Sequence, residues 1–218
     1  GLSRINLKLK SIDGTEINGN GPHIKTEHME QLMTKLEALK QGDVLVLAGS
    51  IPSDVSDDIY EVIMQMLKDR GVMIVVDATK NLLLNVLSHH PFLIKPNNHE
   101  LGEIFNVKLT TRESVVPYAK KLQEMGAQNV LVSMAGSGAV LLAADGSAYM
   151  TPAPKGELKN GVGAGDSMVA GFVAGWLEKQ DYEYAFRMGV ATGSASAFSE
   201  QLATAAQVQK VYEQLINM

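Results

Sequence analysis

The 218-residue chain contains no cysteine, which excludes disulfide bonds, thiolate catalysis and cysteine-ligated metals. Aromatic residues make up only 6% of the sequence, too few for a surface on which nucleic-acid bases stack. The net charge of −5 comes without any lysine- or arginine-rich block, so we expect no nucleic-acid partner. No apolar run reaches membrane-spanning length, so we expect no membrane partner and a cytoplasmic location.

Short apolar runs alternate with segments of helical periodicity along most of the chain. The predicted buried strands are residues 44–47, 73–76, 92–94 and 130–133, and the predicted helices between them are residues 27–39, 59–67, 82–87 and a helix opening near 97. Alternating strands and amphipathic helices bury a parallel sheet on both faces. The pattern therefore predicts an α/β protein whose core has three layers, α/β/α, around a mostly parallel sheet.

Both ends of the chain depart from this alternation. Residues 4–10 alternate strictly between apolar and polar side chains, and a second extended run at 15–18 follows a turn at Asp13 and Gly14, which predicts a hairpin. Gly42 is expected to end the first helix. From Gly161 onward the sequence predicts helix almost to the C-terminus.

A glycine-rich string, NGVGAGDS at residues 160–167, precedes the apolar helix 168–177. Glycines allow backbone amides to approach an anion, and a helix N-terminus adds its positive dipole at the same place. We expect the amides of Gly163, Ala164 and Gly165 to stabilise a transferring phosphoryl group, and Asp166 to accept the proton of an attacking hydroxyl. The alternative is a simple tight turn, with Asp166 serving only the helix dipole.

Polar side chains of the first strand form a second candidate site. Arg4, Asn6 and Lys8 share one strand face, where the arginine and lysine can hold one phosphate together. Ser50, between Gly49 and a proline-led turn, can donate a hydrogen bond to the same phosphate. The alternative is an exposed, solvated strand and an ordinary turn serine.

Asn97 and Glu100 lie one helical turn apart and suit an outer-sphere hold on Mg²⁺ through water, because Mg²⁺ loses its water reluctantly. The same pair also has the spacing of a helix cap, and both roles stay open. His89, His90 and His99 are not interpreted as metal ligands, since no third ligand stands at a recognised spacing.

The string at 160–172 resembles the C-terminal signature of the ribokinase-like (PfkB) carbohydrate kinases, in their hexose-phosphate branch. Four further segments resemble family motifs in the same order, and they are residues 4–8, 47–52, 95–100 and 132–138. These correspond to the substrate-phosphate strand, a phosphate-side loop, the Asn-x-x-Glu motif and the nucleotide-side strand and turn.

The resemblance implies an ATP-dependent kinase that uses Mg²⁺ and phosphorylates a sugar phosphate. Fructose 1-phosphate is the first expected acceptor, with tagatose 6-phosphate and fructose 6-phosphate as alternatives. Residues 1–24 are then a remnant of the family's β lid, and residues 25–218 the nucleotide-binding and catalytic core. The positions expected along the ATP are Asn97, Glu100, Ser133, Gly136, Gly138, Gly161 and Ser194.

Family members normally begin well upstream of a strand like residues 4–8. The resemblance therefore implies that this chain is a fragment or a truncated product with weakened or lost activity, because contacts that orient the sugar hydroxyls are missing. A core-strand edge left exposed would favour self-association, with a homodimer as the expected form. The rival class is a non-catalytic nucleotide-binding module. A dinucleotide-binding oxidoreductase fits poorly, because no βαβ unit follows the glycine-rich string.

Overall fold

The computed structural model describes residues 3–8, 16–19 and 21–218, without the side chains of Lys8 and Glu16. Two short strands, β1 (Asn6–Lys8) and β2 (Glu16–Asn18), pair antiparallel as the predicted hairpin. The predicted turn at Asp13 and Gly14 lies outside the described residues. This hairpin is separate from the main sheet.

The main sheet has six strands in sequence order. They are β3 (Val44–Ala48), β4 (Met73–Asp77), β5 (Leu93–Ile94), β6 (Asn129–Ser133), β7 (Ala139–Leu142) and β8 (Ala148–Thr151). Strands β3 to β6 run parallel, whereas β7 and β8 add two antiparallel pairings. Four parallel strands of six confirm the mostly parallel sheet.

Eight helices occur in the described ranges. They are α1 (Thr26–Glu37), α2 (Ile59–Met66), α3 (Lys80–Val86), α4 (Asn98–Phe105), α5 (Arg112–Glu124), α6 (Ala164–Lys179), α7 (Tyr182–Ala197) and α8 (Ala205–Ile216). None of them combines the length and the apolar character needed to cross a membrane. Short 3₁₀ turns at Leu87–His89 and Ala135–Ser137 complete the pattern.

Neighbouring residues of one strand point to opposite faces of the sheet, and both faces are buried. In β4, Val75 packs into a cluster with Phe172 of α6 and with α7 and α8. Val76 points the other way and packs with residues of α2 to α5. Because both valines have no exposed surface, the central strand lies between two helical layers, which confirms the α/β/α architecture.

Strand β3 is not the buried strand that its apolar run predicted. It forms one edge of the sheet, and no strand in the described part of the chain pairs with its outer side. Val46 is 46% exposed, and only Leu47 of this strand is buried. An unpaired strand edge is a surface on which chains associate.

The first helix also ends earlier than predicted. Helix α1 stops at Glu37, and Gly42 lies beyond it in a turn with φ +91°. The amide of Gly42 donates to the carbonyl of Gly71 at 3.3 Å, so this glycine joins two turns at the start of β3 and β4. Its left-handed backbone still requires glycine.

Asp54 ties the segment after the hairpin to the core. Its Oδ2 accepts a hydrogen bond from the Ile24 amide at 2.6 Å and lies 2.6 Å from Nδ1 of His23. The hydrogen bond from the Ile24 amide is the main reason that the pKa of Asp54 lies below its ordinary value, and His23 adds to the effect. A carboxyl group whose pKa is lowered by folding stabilises the fold above its ordinary pKa and loses that contribution as the pH falls.

We therefore expect this attachment to weaken in acid. The ¹⁵N and ¹H shifts of the Ile24 amide, followed from about pH 6 to about pH 2, should titrate with a midpoint below that of a free aspartate. Asp54→Ala should abolish the transition, whereas His23→Ala should keep it. An unchanged transition in Asp54→Ala would show that another group anchors Ile24.

Candidate active site

The carboxyl ends of the parallel strands bring polar residues to one edge of the sheet. The amide of Gly49, just after β3, donates to the carbonyl of Asp77 at the end of β4 at 3.1 Å. Asn97, after β5, forms a parallel bridge with Ser133 at the end of β6. Open α/β sheets bind their ligands outside this edge. The predicted residues Ser50, Asn97 and Ser133 therefore lie along the edge where a ligand site is expected.

Helix α6 directs its N-terminus toward this edge. It begins after Gly163, whose φ of +77° is a left-handed conformation suited to glycine, and Asp166 lies exposed in its first turn. The amide of Ala164 donates to the carbonyl of Gly161 at 3.3 Å. Within the described residues, no protein acceptor is found for the amides of Gly163 and Gly165. Two of the three predicted amides are thus available to an anion, and the third is engaged in a long hydrogen bond.

The glycine-rich loop is held by the end of α7. The side chain of Asn160 accepts from the Val162 amide at 3.1 Å and donates to the carbonyl of Glu200 at 3.2 Å. A Cβ added to Gly193 would lie 2.9 Å from the carbonyl oxygen of Ala164. Ser194 follows that glycine, so α7 brings the predicted Ser194 close to the loop, where Gly161 is exposed.

Asn97 and Glu100 form the helix cap that their spacing allows. Asn97 Oδ1 accepts from the amides of His99 and Glu100 at 2.8 and 2.9 Å, and Glu100 Oε2 accepts from the Asn97 amide at 2.8 Å. One oxygen of Glu100 remains outside this capping box. No group of three or more metal-ligating side chains is found in the described part of the chain. The water-mediated hold on Mg²⁺ by this pair stays a prediction.

The predicted substrate-phosphate residues meet across the gap between the hairpin and the core. Arg4 donates through Nε to Asn6 Oδ1 at 2.9 Å and through Nη1 to Ser50 Oγ at 2.7 Å. All three residues are exposed. The prediction for the Lys8 side chain lies outside the described residues. The arginine is thus held next to Ser50 with part of its guanidinium open to a phosphate.

The predicted nucleotide turn follows β6 and precedes β7. Gly138 has φ +97°, and a Cβ there would lie 1.9 Å from the carbonyl oxygen of Thr151, so only glycine fits. Its amide donates to the carbonyl of Ala135 at 3.0 Å. Gly138 therefore shapes the turn, and its amide is not available to a ligand. Gly136 is exposed at the tip, and Arg112 of α5 holds the turn through the Ser137 carbonyl at 2.8 Å.

Sequence reasoning missed an ion pair in the middle of the site. Lys95 Nζ lies 3.1 Å from Asp77 Oδ1, and the two side chains are only 8% and 17% exposed. Burial raises the pKa of Asp77, the Lys95 ammonium opposes that shift, and the carboxylates of Asp166 and Glu100 add to it. The signals were present as an aspartate closing one apolar strand and a lysine closing the next, but nothing local showed that they meet.

An α/β sheet whose ligand edge carries a glycine-rich loop, a helix N-terminus and an exposed carboxylate defines a nucleotide-binding protein of the phosphotransferase class. The chain belongs to the pfkB family of carbohydrate kinases, whose profile matches residues 3–209. The family resemblance predicted from the motifs is confirmed.

Relatives of known name agree with this assignment. The chain is 49% identical over 211 residues to the 1-phosphofructokinase of Bacillus subtilis, covering 97% of this chain and 69% of that protein. It is 32% identical over 216 residues to the D-tagatose-1-phosphate kinase of Bacillus licheniformis, covering 99% and 71%. The chain thus spans about two thirds of the length of these relatives.

Solved structures show the same fold. Phosphofructokinase-2 of Escherichia coli in complex with fructose-6-phosphate superposes with a TM-score of 0.85 at 26% identity, over 98% of this chain and 70% of that one. Ribokinase of Arabidopsis thaliana, complexed with ribose and ATP, gives a TM-score of 0.72 at 18% identity, over 91% and 65%. The second likeness extends the shared architecture to the ribokinases.

Proposed function

We propose that this protein is an ATP-dependent kinase that transfers the terminal phosphoryl group of ATP to a hydroxyl of a hexose phosphate, with fructose 1-phosphate as the first acceptor. The observation that carries the proposal is Asp166, an exposed carboxylate in the first turn of α6 beside amides that have no acceptor in the described residues. The 49% identity to a 1-phosphofructokinase supports the choice of acceptor.

Different residues of the site bind the phosphate of the acceptor and its reacting hydroxyl. Arg4, Asn6, Lys8 and Ser50 hold the phosphate that the substrate already carries, and the guanidinium is the main charged donor. Asp166 accepts the proton of the attacking hydroxyl as the new oxygen–phosphorus bond forms and the bond between the terminal phosphorus and ADP breaks, so that ADP leaves. The amides of Gly163 and Gly165, with a lesser part for Ala164, receive the negative charge of the transferring group.

The nucleotide lies between the glycine-rich loop and the turn after β6. We assign Gly161 to the phosphate side of the loop, Ser133 and Gly136 to the turn side, and Ser194 to the wall formed by α7. Gly138 keeps the shape of the turn. Support comes from the bridge between Ser133 and Asn97 at this edge of the sheet, and from the close approach of Gly193, the neighbour of Ser194, to Ala164 at the start of α6.

The charges at the site fit a divalent cation. Burial raises the pKa of Asp77, and the carboxylates of Asp166 and Glu100 lie close enough to raise it further, so three carboxyl groups share this edge with Lys95. Glu100 and Asn97 would hold Mg²⁺ through water, and Mg²⁺ when bound supplies positive charge that screens the ATP phosphates.

A turnover panel tests the acceptor. We expect fructose 1-phosphate to give the highest kcat/KM, with D-tagatose 1-phosphate second because one relative carries that name, and fructose 6-phosphate and tagatose 6-phosphate lower. The panel should use this chain and, beside it, the protein as its gene encodes it, since weakened turnover of the 218-residue chain is itself predicted from the sequence. ATP binding without turnover of any sugar phosphate in both samples would favour the non-catalytic nucleotide-binding module.

Assembly as a homodimer and a cytoplasmic location remain predictions. Ile5, Leu7 and Ile17 of the hairpin are exposed apolar side chains, and Leu7 lies opposite Ile17 in the antiparallel register. Burying such a surface against a second copy would remove apolar area from water.

A further inference from the structure

The loop at residues 49–54, which follows β3, contacts the hairpin and the segment after it. Ser50 Oγ accepts a hydrogen bond from Nη1 of Arg4, just before β1, at 2.7 Å. Asp54 Oδ2 accepts from the amide of Ile24, between the hairpin and α1, at 2.6 Å. The position of this loop therefore decides where Arg4 lies relative to the core.

Packing does not fix the start of this loop. Ala48, Gly49 and Ser50 are exposed, and a Cβ added to Gly49 would have no atom within 4 Å outside its immediate neighbours. Gly49 has φ +83°, and glycine has the widest backbone freedom of any residue. The chain at this point is held by hydrogen bonds rather than by packed side chains.

Tyr60 of α2 supplies one of these hydrogen bonds. Its hydroxyl donates to the carbonyl of Ala48 at 2.8 Å and lies 3.5 Å from the carbonyl oxygen of Gly49. A second hydrogen bond runs from the Gly49 amide to the carbonyl of Asp77 at 3.1 Å. Burial, together with the charge of Asp77, raises the pKa of Tyr60, so the hydroxyl keeps its proton and remains a donor at neutral pH.

The ring of Tyr60 does not need this hydroxyl for packing. The ring lies against the buried cluster on the α2 to α5 face of the sheet, where a phenylalanine ring would fill the same space. A hydroxyl withdrawn from water is costly unless it finds a hydrogen-bond partner. The partner here is the backbone at the end of β3, so the hydroxyl serves the loop rather than the core.

We propose that Tyr60 is a positioning residue for the acceptor: its hydroxyl holds the start of the loop so that Ser50 meets Arg4 and the two bind the phosphate of the hexose phosphate together. This inference rests on the proposed function. Tyr60 acts only through the backbone of the loop and does not itself contact the substrate.

Arg4 and Ser50 form a donor pair suited to a phosphate. A guanidinium has five N–H donors, and Arg4 gives one to Asn6 and one to Ser50, which leaves three. Ser50 accepts from Arg4 and has its own O–H to donate. Groups that are held in place before binding lose less entropy when the ligand arrives, so the pair binds tightly only while the loop keeps its position.

The test variant Tyr60→Phe removes the hydroxyl and keeps the ring. Calorimetry on the protein as its gene encodes it should give the Kd for ATP and for the acceptor preferred in the turnover panel, expected to be fructose 1-phosphate. An assay of ADP release should give KM and kcat. We expect the Kd and KM for the acceptor to rise about fivefold, the effect of one hydrogen bond, with kcat and the Kd for ATP unchanged.

Tyr184→Phe is the matched control. Tyr184 donates its hydroxyl to Oε2 of Glu178 at 2.9 Å, near the C-terminus of α6. Glu178 lies about 18 Å along that helix from Asp166, so the control should leave the constants for both substrates unchanged. Urea unfolding of both variants checks that the fold is intact.

Ser50→Ala supplies a second, independent variant at an exposed position. It should also raise the Kd for the acceptor, because the donor pair is lost. If Tyr60 acts through Ser50, the double variant Ser50→Ala/Tyr60→Phe should have the same Kd as Ser50→Ala.

The remaining outcomes each count against a stated part. Unchanged acceptor binding in folded Tyr60→Phe, or a lower kcat at unchanged KM, overturns the inference while the kinase proposal stands. Multiplied losses in the double variant show that Tyr60 does not act through Ser50, and they overturn it as well. A Tyr60→Phe variant that unfolds, or that loses affinity for ATP and acceptor alike, reduces Tyr60 to a support of the whole fold. Failure of the unsubstituted protein to bind or phosphorylate any hexose phosphate overturns the proposed function, and the inference with it.

Discussion

Replacing Asp166 by asparagine is expected to lower turnover by about 10²- to 10⁴-fold, the range by which a positioned general base accelerates a reaction. Asparagine keeps the size of the side chain and removes its capacity to take a proton. Asp166 is exposed in the first turn of α6, so the substitution breaks no core contact. ATP affinity should change little, because the amides beside it are untouched.

The measurement is a coupled assay of ADP release with fructose 1-phosphate, on the protein as its gene encodes it. Asp57→Asn is a suitable control, since Asp57 is an exposed aspartate in the loop before α2 and should keep normal turnover. A variant Asp166→Asn that turns over within a few-fold of the parent would remove Asp166 from the role of base. If the parent and the Asp166→Asn variant bind ATP equally and the parent shows no turnover, the result would instead favour the non-catalytic nucleotide-binding module.

Replacing Gly171 by alanine is expected to destabilise the fold by about 3 kcal/mol. This steric cost outweighs the roughly 1 kcal/mol by which alanine is favoured over glycine inside a helix. An added Cβ would lie 2.4 Å from Thr192 Oγ1 and 2.6 Å from the carbonyl oxygen of Met188. The contact with a backbone atom cannot be relieved by a side-chain rotation. Helices α6 and α7 must therefore move apart.

Urea unfolding followed by circular dichroism measures this loss. Ala174→Gly, at an exposed position of the same helix, reports helix propensity alone and should cost about 1 kcal/mol. A variant Gly171→Ala as stable as the parent would mean that the two helices accommodate the methyl group without strain. ATP affinity should fall together with stability, because Ser194 and the glycine-rich loop depend on the same helix pair.

The parts of the site that lie within a few residues of one another were predictable from sequence. The glycine-rich loop, the start of α6 and Asp166 form one local unit, and glycine conformation and helix polarity are local properties. The capping box of Asn97 and Glu100 is local as well, which is why its spacing was visible in the sequence, where a metal role stayed open beside it.

The ion pair of Asp77 and Lys95 could not be predicted from the sequence. Each residue ends a different strand, and neither the pairing of β4 with β5 nor the approach of α6 can be seen in a local pattern. Strand β3 was misjudged for a related reason. A run of apolar residues at 44–47 has the same composition at the edge of a sheet as in its centre, and only the neighbouring strands decide its exposure.

The glycine-lined contact between α6 and α7 also limits how this protein can move. Residues 163–167 start one helix and Ser194 lies near the end of the other, and these helices meet almost backbone to backbone at Gly171 and Gly193. Asp166, the proposed proton acceptor, and Ser194, on the proposed wall of the nucleotide site, should therefore shift as a rigid block. A hydrogen bond from Arg4 to Ser50 fastens the hairpin to the core, and Asp54 fastens the segment that follows it, so we expect any opening that admits a sugar to occur at the hairpin.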